Sequence, residues 1–311
     1  MMTETLPAAP VDLHIHTHYS DGRMSPEEVV AEAAARGIRV MAITDHDNLE
    51  GSRAAAPLAR AAGIELIPGI EITTRWPGMD LPPGDADVDL LGYFVNPDDD
   101  VFTAFTHALI GDLHARIAST CARLTARGYP VTMDDVFAQN PRYGGAVQLL
   151  KALLARGHAP TWELANQLLV SAWYEERRTP FTIQSAIQQI HLAGGVAVLA
   201  HPAIVRPRGQ QLTAADLRPL VEAGLDGIEI YHRRLNEAAR AHFLGLANEF
   251  GLLTSGGSDM HGWFNGRDGL GSQPVTEALV ERLRARSGSQ RGARIGSQRG
   301  ARSEPKRRPR Q

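Results

Sequence analysis

The sequence predicts an α/β fold, a sheet of parallel strands with crossover helices that is interrupted by a long helical stretch. Three observations predict it. Strand-like and helix-like patterns alternate over the first third of the chain, and again from TIQSAIQQIHLAGG onward. Between them, from about Asp99 to Ser185, the pattern is helical throughout. Five short apolar runs also stop at His, Asp or Glu: VDLHIH (Val11–His16), VMAITDH (Val40–His46), ELIPGIE (Glu65–Glu71), GVAVLAH (Gly195–His201) and LLTSGGSDMH (Leu252–His261). Alternation favours parallel strands joined by helices. In a parallel α/β barrel the chemistry gathers at the carboxyl ends of the strands, where the βα loops meet.

Each element has a local cause. After the first run, Ser25 can N-cap a helix, Pro26 suits its first position, Glu28 completes a capping box and Gly37 suits the exit. A second strand over Arg39–Thr44 follows, then a helix from about Leu49 to Ala62 that stops at Gly63, then a strand ending at Glu71. Residues 75–87, rich in Pro, Gly and Asp, read as a loop before a fourth strand, Val88–Val95. LHARIASTCARLTARG and AVQLLKALLARG are helical patterns that end at Gly. The alternation then resumes through GVAVLAH, TAADLRPLVEAG, DGIEIYH, a helix near Asn236–Phe250 and the last run, for six or seven strands in all. The expected division is an N-terminal extension (1–10), a first barrel part (11–98), a helical insertion (99–185), a second barrel part (186–281) and a disordered basic tail (282–311).

With 43% hydrophobic and 22% charged residues, the 311-residue chain has the balance of a soluble globular protein. It has no run of 18 apolar residues, so no membrane span is expected. MMTETLPAAP lacks the basic and apolar regions of a secretory signal. The single cysteine, Cys121, excludes an internal disulfide or a thiolate cage and reads as a buried thiol. Together these point to the cytoplasm. The net charge of −3 is uneven: residues 282–311 carry eleven Lys/Arg against Glu304, or +10, which leaves −3 − 10 = −13 on the rest. GSQRGAR occurs twice there, at 288–294 and 296–302. Such composition offers little apolar area to bury, so the tail reads as solvated, with RNA contact as the weaker alternative.

His14 and His16 are two apart on one strand and share a face. The pair alone carries little, because 12 × 11/311 gives roughly 0.4 such pairs by chance. Context adds Asp21 in HTHYSDG, then Asp45, His46 and Asp47 in TDHD, Glu71 in GIEITT, His201 in AHP, and Asp259 and His261 in GGSDMHG. Imidazoles and carboxylates without thiolate suit Zn²⁺, Mn²⁺ or Fe²⁺ better than Ca²⁺ or a structural zinc. Seven or more ligands exceed the need of one tetrahedral ion, so two or three divalent ions are expected, with a carboxylate such as Glu71 bridging. Without cations, buried like-charged carboxylates would be very costly.

The motifs DLHIHTHYSDG, AITDHDNLEG, GIEITT, GGVAVLAHP and GGSDMHG resemble those of the PHP (polymerase and histidinol phosphatase) domain phosphoesterases over about residues 11–265. The resemblance is to the TrpH-like branch, which includes nucleoside 3′,5′-bisphosphate phosphatases and 5′-to-3′ exoribonucleases. It implies a distorted seven-stranded (β/α) barrel with a helical insertion and a trinuclear metal centre. One ion would take His14, His16, Glu71 and Asp259; a second would share Glu71 and take His201; a third would take Asp21, His46 and His261. Three segments depart from the family pattern. Asp89, in VDLLGY, stands where the family usually has His. As an oxygen ligand it favours a harder ion such as Mn²⁺; as a non-ligand it leaves the second site weak. NPRYGG, with Arg142 and Tyr143, replaces a GRPH-like segment that resembles a phosphate or substrate contact. After DGIEIYH, a further His gives way to the Leu235 region, beside Arg233 and Arg234.

The implied activity is hydrolysis of phosphate monoesters of nucleotides, 3′,5′-bisphosphonucleotides or short RNA 5′ ends, by a metal-bound water that attacks phosphorus in line. Arg142, Tyr143, Arg177, Arg178, Arg233 and Arg234 are the candidate substrate contacts, although for any one Arg an exposed surface position is the commoner case. His232 and His18 are candidate proton donors to the leaving oxygen, each equally suited to a supporting or solvent-facing place. Glu229 is a candidate to orient a ligand, and Gly256 and Gly257 to let backbone approach the ions. His107, His114, His158, His191 and His242 read as surface residues, and Trp76, Trp162 and Trp173 as packing at the border of the insertion, with stacking on a base as the alternative. The enzyme alternatives are a cyclic-phosphate phosphodiesterase, a histidinol phosphatase and a polymerase-associated proofreading module. The non-enzyme alternative is a metal-stabilised RNA-binding module. The expected partner is a small phosphate ester or nucleotide, with short RNA a further candidate. No membrane and no obligate protein partner are expected.

Overall fold

The computed structural model describes residues 9–79, 87–173, 180–262 and 269–302, with side chains described as far as Gln290. β1 (Val11–Ile15) leads into α1 (Pro26–Ala35). The helix starts where its residues dictate: Ser25 accepts the Glu28 N–H, Glu28 reaches back to Ser25, and Gly37 at φ 74° turns the chain out. β2 (Val40–Ile43), α2 (Glu50–Ala61), β3 (Glu65–Arg75) and β4 (Asp87–Tyr93) follow. A run of helices comes next: α3 (Asp100–Ala126), α4 (Met133–Phe137), α5 (Ala146–Ala155), α6 (Trp162–Trp173) and α7 (Ile183–Leu192). The chain then alternates again through β5 (Val196–Leu199), α8 (Ala214–Glu222), β6 (Gly227–Tyr231), α9 (Glu237–Phe250), β7 (Leu253–Gly256) and α10 (Glu277–Arg302).

The seven strands form one sheet in the order β1 to β7. β1, β2 and β3 pair in parallel, as do β5, β6 and β7, but β4 is antiparallel to both of its neighbours. The expectation of parallel strands with crossover helices thus holds for β1–β3 and β5–β7 and fails at β4. Parallel neighbours need a crossover of a dozen or more residues, usually helical. The connection 76–86 is too short for one. The reversal matters for the site, because it places the N-terminal end of β4 beside the C-terminal ends of β3 and β5. Asp89 thus lies opposite Thr73, and its carbonyl accepts the Ala200 N–H at 3.1 Å. The sheet is curled, and two backbone bonds link its edges: Asp259 N–H to His14 O and His16 N–H to Met260 O, both 2.9 Å. No strand ladder pairs β7 with β1 among the described residues.

Side-chain alternation positions the polar residues. Ile67 of β3, Leu91 and Tyr93 of β4, and Val196 and Val198 of β5 pack with Leu279, Val280 and Leu283 of α10 in one cluster. Glu71 lies two strand repeats beyond Ile67, and Asp89 one repeat before Leu91, so both carboxylates continue that face past its apolar lining. Ile70, Ile72, Val88 and Leu90 alternate to the other face, against Ile183, Ile187 and Ile190 of α7.

The helices between β4 and α7 have a core of their own, built from Leu113, Ile117, Cys121 and Leu124 of α3 with Leu149, Leu153 and Leu169. Cys121 is a buried free thiol, and burial pushes it up to about 11. These helices are tied to the sheet by polar bonds. Arg116 pairs with Asp87 at 2.8 Å and lies 4.4 Å over the Trp173 ring. Asn140 Nδ2 donates to His18 O and Ser20 O at 2.8 and 2.9 Å. Trp76 and Trp173 are buried, but Trp162 is exposed.

The tail expectation needs correction over residues 282–302, which belong to α10 rather than to a disordered segment. Leu279, Leu283 and Ser287 recur every four residues and are all buried, a stripe that the count of arginines conceals. Ser287 Oγ donates to Gly194 O at 2.8 Å, Arg286 pairs with Asp226 at 3.0 Å, and Arg284 pairs with Glu65. The last residues of the expected tail, 303–311, lie outside the described residues. No helix among the described residues is long and apolar enough to cross a membrane.

Candidate metal centre

The structure brings all nine candidate ligands together. Nε2 of His14 and Nε2 of His16 face Glu71 Oε2 at 3.1 and 3.0 Å, and Asp259 Oδ1 at 3.6 and 3.4 Å. The other Glu71 oxygen, Oε1, meets His201 Nε2 at 2.8 Å, and Asp89 Oδ2 lies 3.7 Å from that nitrogen. Asp21 Oδ1 is the hub of a third group: 3.2 Å from His261 Nε2, 3.8 Å from His16 Nδ1 and 3.9 Å from His46 Nε2. Donor atoms of His14, His16 and Asp259, of Glu71, Asp89 and His201, and of His16, Asp21, His46 and His261 converge within 4.8 Å in each group, close enough to share a cation.

Several supporting residues hold these ligands. Glu229, fully buried, lies 3.0 Å from His14 Nδ1 and accepts the His201 backbone N–H at 2.7 Å. It thereby directs His14 Nε2 toward the centre. Asp45, which the sequence offers as a ligand, instead anchors the loop that carries Asp21. Its oxygens accept from Thr17 N–H, Ser20 Oγ and Thr17 Oγ1 at 2.7, 2.7 and 2.6 Å. Asp47 accepts the Thr73 N–H at 2.9 Å, and burial pushes its carboxyl up to about 7. A Cβ on Gly257 would collide with the His14 backbone, and one on Gly256 with Tyr231. These glycines therefore let the chain after β7 press against β1 and β6, and only through His14 do they bear on an ion.

His232 does not have the setting of a proton donor to a leaving group. It is fully buried; its Nδ1 accepts the Arg234 N–H at 3.2 Å, so its Nε2 proton is directed to Asp259 Oδ2 at 3.2 Å. Arg233 shares that oxygen, with Nη2 at 2.9 Å, and keeps 30% of its side chain exposed. Asp259 is thus gripped through Oδ2 and presents Oδ1 to His14 and His16. His18 stands on the loop after β1, its ring 5.1 Å from Tyr19. Partial burial and the nearby Arg142 lower its basicity. Arg142 is exposed and lies 4.8 Å over the Tyr19 ring. Arg234 is exposed beside the site, whereas Arg177 and Arg178 lie outside the described residues. Tyr143 is buried and lines a cleft of about 290 Å³ that opens on Asp21, His46 and Asp89. Of its further walls, Trp173 is one of the tryptophans that the sequence offers for stacking on a base, whereas Arg116, Asn166 and Phe181 carry no such signal. Nothing in their local pattern separates them from helix packing. Of the histidines read as surface, His107 is exposed, but His158 is half-buried with Nε2 2.7 Å from Pro130 O, His191 is half-buried on Asp226 at 2.8 Å and His242 bonds Leu212 O at 2.7 Å.

The donor set fits divalent cations. His46 Nδ1, Asp89 Oδ1 and His201 Nδ1 are buried atoms with no hydrogen-bond partner among the described residues. Unpaired buried polar atoms are rare and call for a ligand or ion. Without ions the cluster must balance its own charge. Burial alone would raise Glu71, but His14 and His46 hold it well below the usual carboxylate range. Burial likewise opposes Asp259, and contact with His16 and His232 holds it well down. Burial would lower the imidazoles, yet Glu71 and Asp21 raise His46 to about 10, and Asp21 raises His261 to about 9. A cation would take over the role these protons play.

The comparisons with known proteins agree with this geometry. The family described as PHP domain matches residues 12–158. The chain is 31% identical to a phosphoribosyl 1,2-cyclic phosphate 1,2-diphosphodiesterase from Eggerthella lenta, over 81% of this chain and 94% of the relative. It is 29% identical to a 5′-3′ exoribonuclease from Haemophilus influenzae, over 81% and 91%. It is 27% identical to a 3′,5′-nucleoside bisphosphate phosphatase from Chromobacterium violaceum, over 89% and 98%. A crystal structure from Bifidobacterium adolescentis, provisionally described as a metal-dependent phosphoesterase, matches with a TM-score of 0.76 at 30% identity, covering 90% of this chain and 97% of that one. Motifs, curled sheet and whole-length relatives agree, and the chain belongs to the PHP domain family of metal-dependent phosphoesterases.

Proposed function

We propose that this chain is a nucleotide phosphatase, which removes phosphate from 3′,5′-bisphosphonucleotides or from the 5′ ends of short RNA at a centre of two or three divalent ions. His14, His16, Asp21, His46, Glu71, Asp89, His201, Asp259 and His261 are its ligands. Glu71 carries the reading: its two oxygens face separate ligand groups, the arrangement a bridging carboxylate requires. The bound ions supply an activated water at neutral pH and neutralise phosphoryl oxygens.

The protein's own residues do the rest. His232 and Arg233 grip one oxygen of Asp259, which fixes the direction of the other. The exposed part of Arg233 is placed to meet a phosphoryl oxygen at the rim. Tyr143, Trp173 and Phe181 offer apolar faces to the leaving group in the cleft, and Asn166 offers hydrogen bonds. His18, on the loop that carries Asp21, is the remaining candidate to protonate the leaving oxygen.

Purified protein loaded with Mn²⁺ is expected to release phosphate from a 3′,5′-bisphosphonucleotide, and a folded His14→Ala variant to release none above background. Undiminished turnover by that variant would overturn the assignment. A second reading, opening of a cyclic phosphate diester, is favoured by the Eggerthella lenta relative. It becomes the primary one if a five-membered cyclic phosphate is opened faster than the bisphosphonucleotide is hydrolysed.

A further inference from the structure

The two ends of the ligand cluster differ in donor chemistry. Around Asp21 the donors are mostly imidazoles, from His16, His46 and His261. In the middle, His14 and His16 stand beside Asp259 and one oxygen of Glu71. At the other end the balance reverses, because Glu71 and Asp89 supply carboxylates and His201 the only imidazole of the group. We infer that the Glu71–Asp89–His201 end holds a hard, oxygen-preferring ion of the Mn²⁺ or Mg²⁺ class, while the imidazole-rich remainder holds Zn²⁺ or Fe²⁺, so that the centre is a mixed-metal one. This rests on the proposed multi-ion centre and adds to it which ion goes where.

Asp89 is held in place by backbone rather than by chance side-chain packing. It is paired opposite Thr73, one strand repeat from Glu71, and its carbonyl accepts the Ala200 N–H next to His201. The strands that carry Glu71 and His201 therefore flank it on both sides. The short side chain brings Oδ2 to 3.7 Å from His201 Nε2 and leaves Oδ1 buried without a hydrogen-bond partner. The His201 side chain is nine-tenths buried, and its Nδ1 is unpartnered as well. An imidazole-poor, carboxylate-rich pocket of this kind suits Mg²⁺ and Mn²⁺, whereas imidazole suits Zn²⁺ and Fe²⁺. Zn²⁺ outranks Mn²⁺ in affinity at nearly any nitrogen and oxygen site. Selection therefore shows as partition between sites: scarce Zn²⁺ fills the imidazole-rich positions first and leaves Mn²⁺ at Asp89.

The test is a direct metal inventory. Ion-free full-length protein is given excess Mn²⁺ and graded Zn²⁺, desalted, and read by elemental analysis and by the Mn²⁺ electron paramagnetic resonance signal. The expected result is about one Mn²⁺ per chain that persists after Zn²⁺ has filled the other positions. Asp89→His is expected to lower the retained Mn²⁺ to Zn²⁺ ratio by about tenfold or more, since even partners of ligands are worth 10- to 100-fold in affinity. Asp89→Asn, nearly the same shape, is expected to lose the retained Mn²⁺ and keeps the test open if the His variant does not fold. Uniform displacement of Mn²⁺ in the unaltered protein, or an unchanged partition in a folded Asp89→His variant, would overturn the inference. Phosphate release by a protein whose Mn²⁺ is displaced uniformly would overturn the inference and leave the proposed phosphatase reading intact.

Discussion

Replacing Glu229 by Gln removes one charge from beneath the centre and almost no volume. Glu229 Oε1 lies 3.0 Å from His14 Nδ1, and Oε2 accepts the His201 N–H at 2.7 Å. Burial would raise this carboxyl, but His14 and His232 hold it below its usual value, so it stays ionised at neutral pH. Two oxygens serve two donors. Gln has one acceptor oxygen, so in the Glu229→Gln variant either the His201 N–H loses its partner or an amide N–H faces His14 Nδ1. In the second case His14 is pushed to the tautomer that carries its proton on Nε2, the atom aimed at the ions. Orienting partners of this type are worth about 10- to 100-fold in metal affinity, or roughly 1.4 to 2.7 kcal/mol. Competition with a chromogenic chelator reads the affinity, and a melt in excess chelator shows whether the ion-free fold survives. A folded variant that binds Mn²⁺ and Zn²⁺ within twofold of the unaltered protein would refute the claim that Glu229 orients His14.

Other perturbations follow from the same geometry. Gly257→Ala forces a Cβ into the His14 backbone, which cannot yield as a side-chain tip would. The expected loss is about 1–3 kcal/mol of stability together with weakened metal binding, read by thermal melt and chelator competition; unchanged values would show that the close approach is dispensable. Leu283→Ala empties a fully buried position under the sheet and is expected to cost about 2–5 kcal/mol in denaturant titration. A loss below about 1 kcal/mol would mean that α10 does not dock as described. For pH, His46 at about 10 and His261 at about 9 both lie above the ordinary 6.5. In chelator, their contribution to stability is therefore fully present below pH 6.5 and lost as pH rises through about 9 to 10. Metal binding at pH 8 should accordingly release protons, seen as a binding enthalpy that changes with the buffer; a buffer-independent enthalpy would contradict it.

Most of the centre was legible because its ligands end apolar runs. His14, Glu71, His201 and Asp259 stand at or just beyond strands, and a period-two pattern fixes which face they share. The first helix was equally readable, since a capping box and a C-terminal Gly are local signals. What sequence pattern could not supply was strand direction. VDLLGY reads the same whether β4 runs up or down, and only the short connection before it forces the reversal that brings Asp89 to the ligand edge. Asp45 shows the same limit: TDHD offers three residues beside one another at a strand end, and only the fold shows that Asp45 is claimed by the backbone and hydroxyls of a loop some 28 residues earlier. The first part of the tail was misread by composition, because the buried Leu279, Val280, Leu283 and Ser287 of α10 outweigh its arginines. The cleft walls at Arg116, Asn166, Trp173 and Phe181 come from α3, α6 and the segment before α7, so the meeting of these three parts is a property of packing.

Backbone strain at the centre argues that the site is formed before an ion arrives. Among the described residues, Asp47, His201 and Asp259 have φ of 58°, 25° and 55°, in a region that non-glycine residues seldom occupy. Such a conformation costs on the order of 1–3 kcal/mol and persists only where surrounding structure over-determines it. Here the over-determination is visible, and it is mutual. The Asp47 N–H donates to Glu71 O at 2.8 Å, the His201 N–H to Glu229 Oε2 at 2.7 Å, and the Asp259 N–H to His14 O at 2.9 Å. Each strained residue is thus pinned through its own amide by another residue of the centre or its support. Relaxing any one of the three breaks a buried bond elsewhere in the cluster, so the ligands stand or move as a unit. With ligand geometry set in this way by backbone, the ion preference proposed for Asp89 would concern one position and require no rebuilding of the rest.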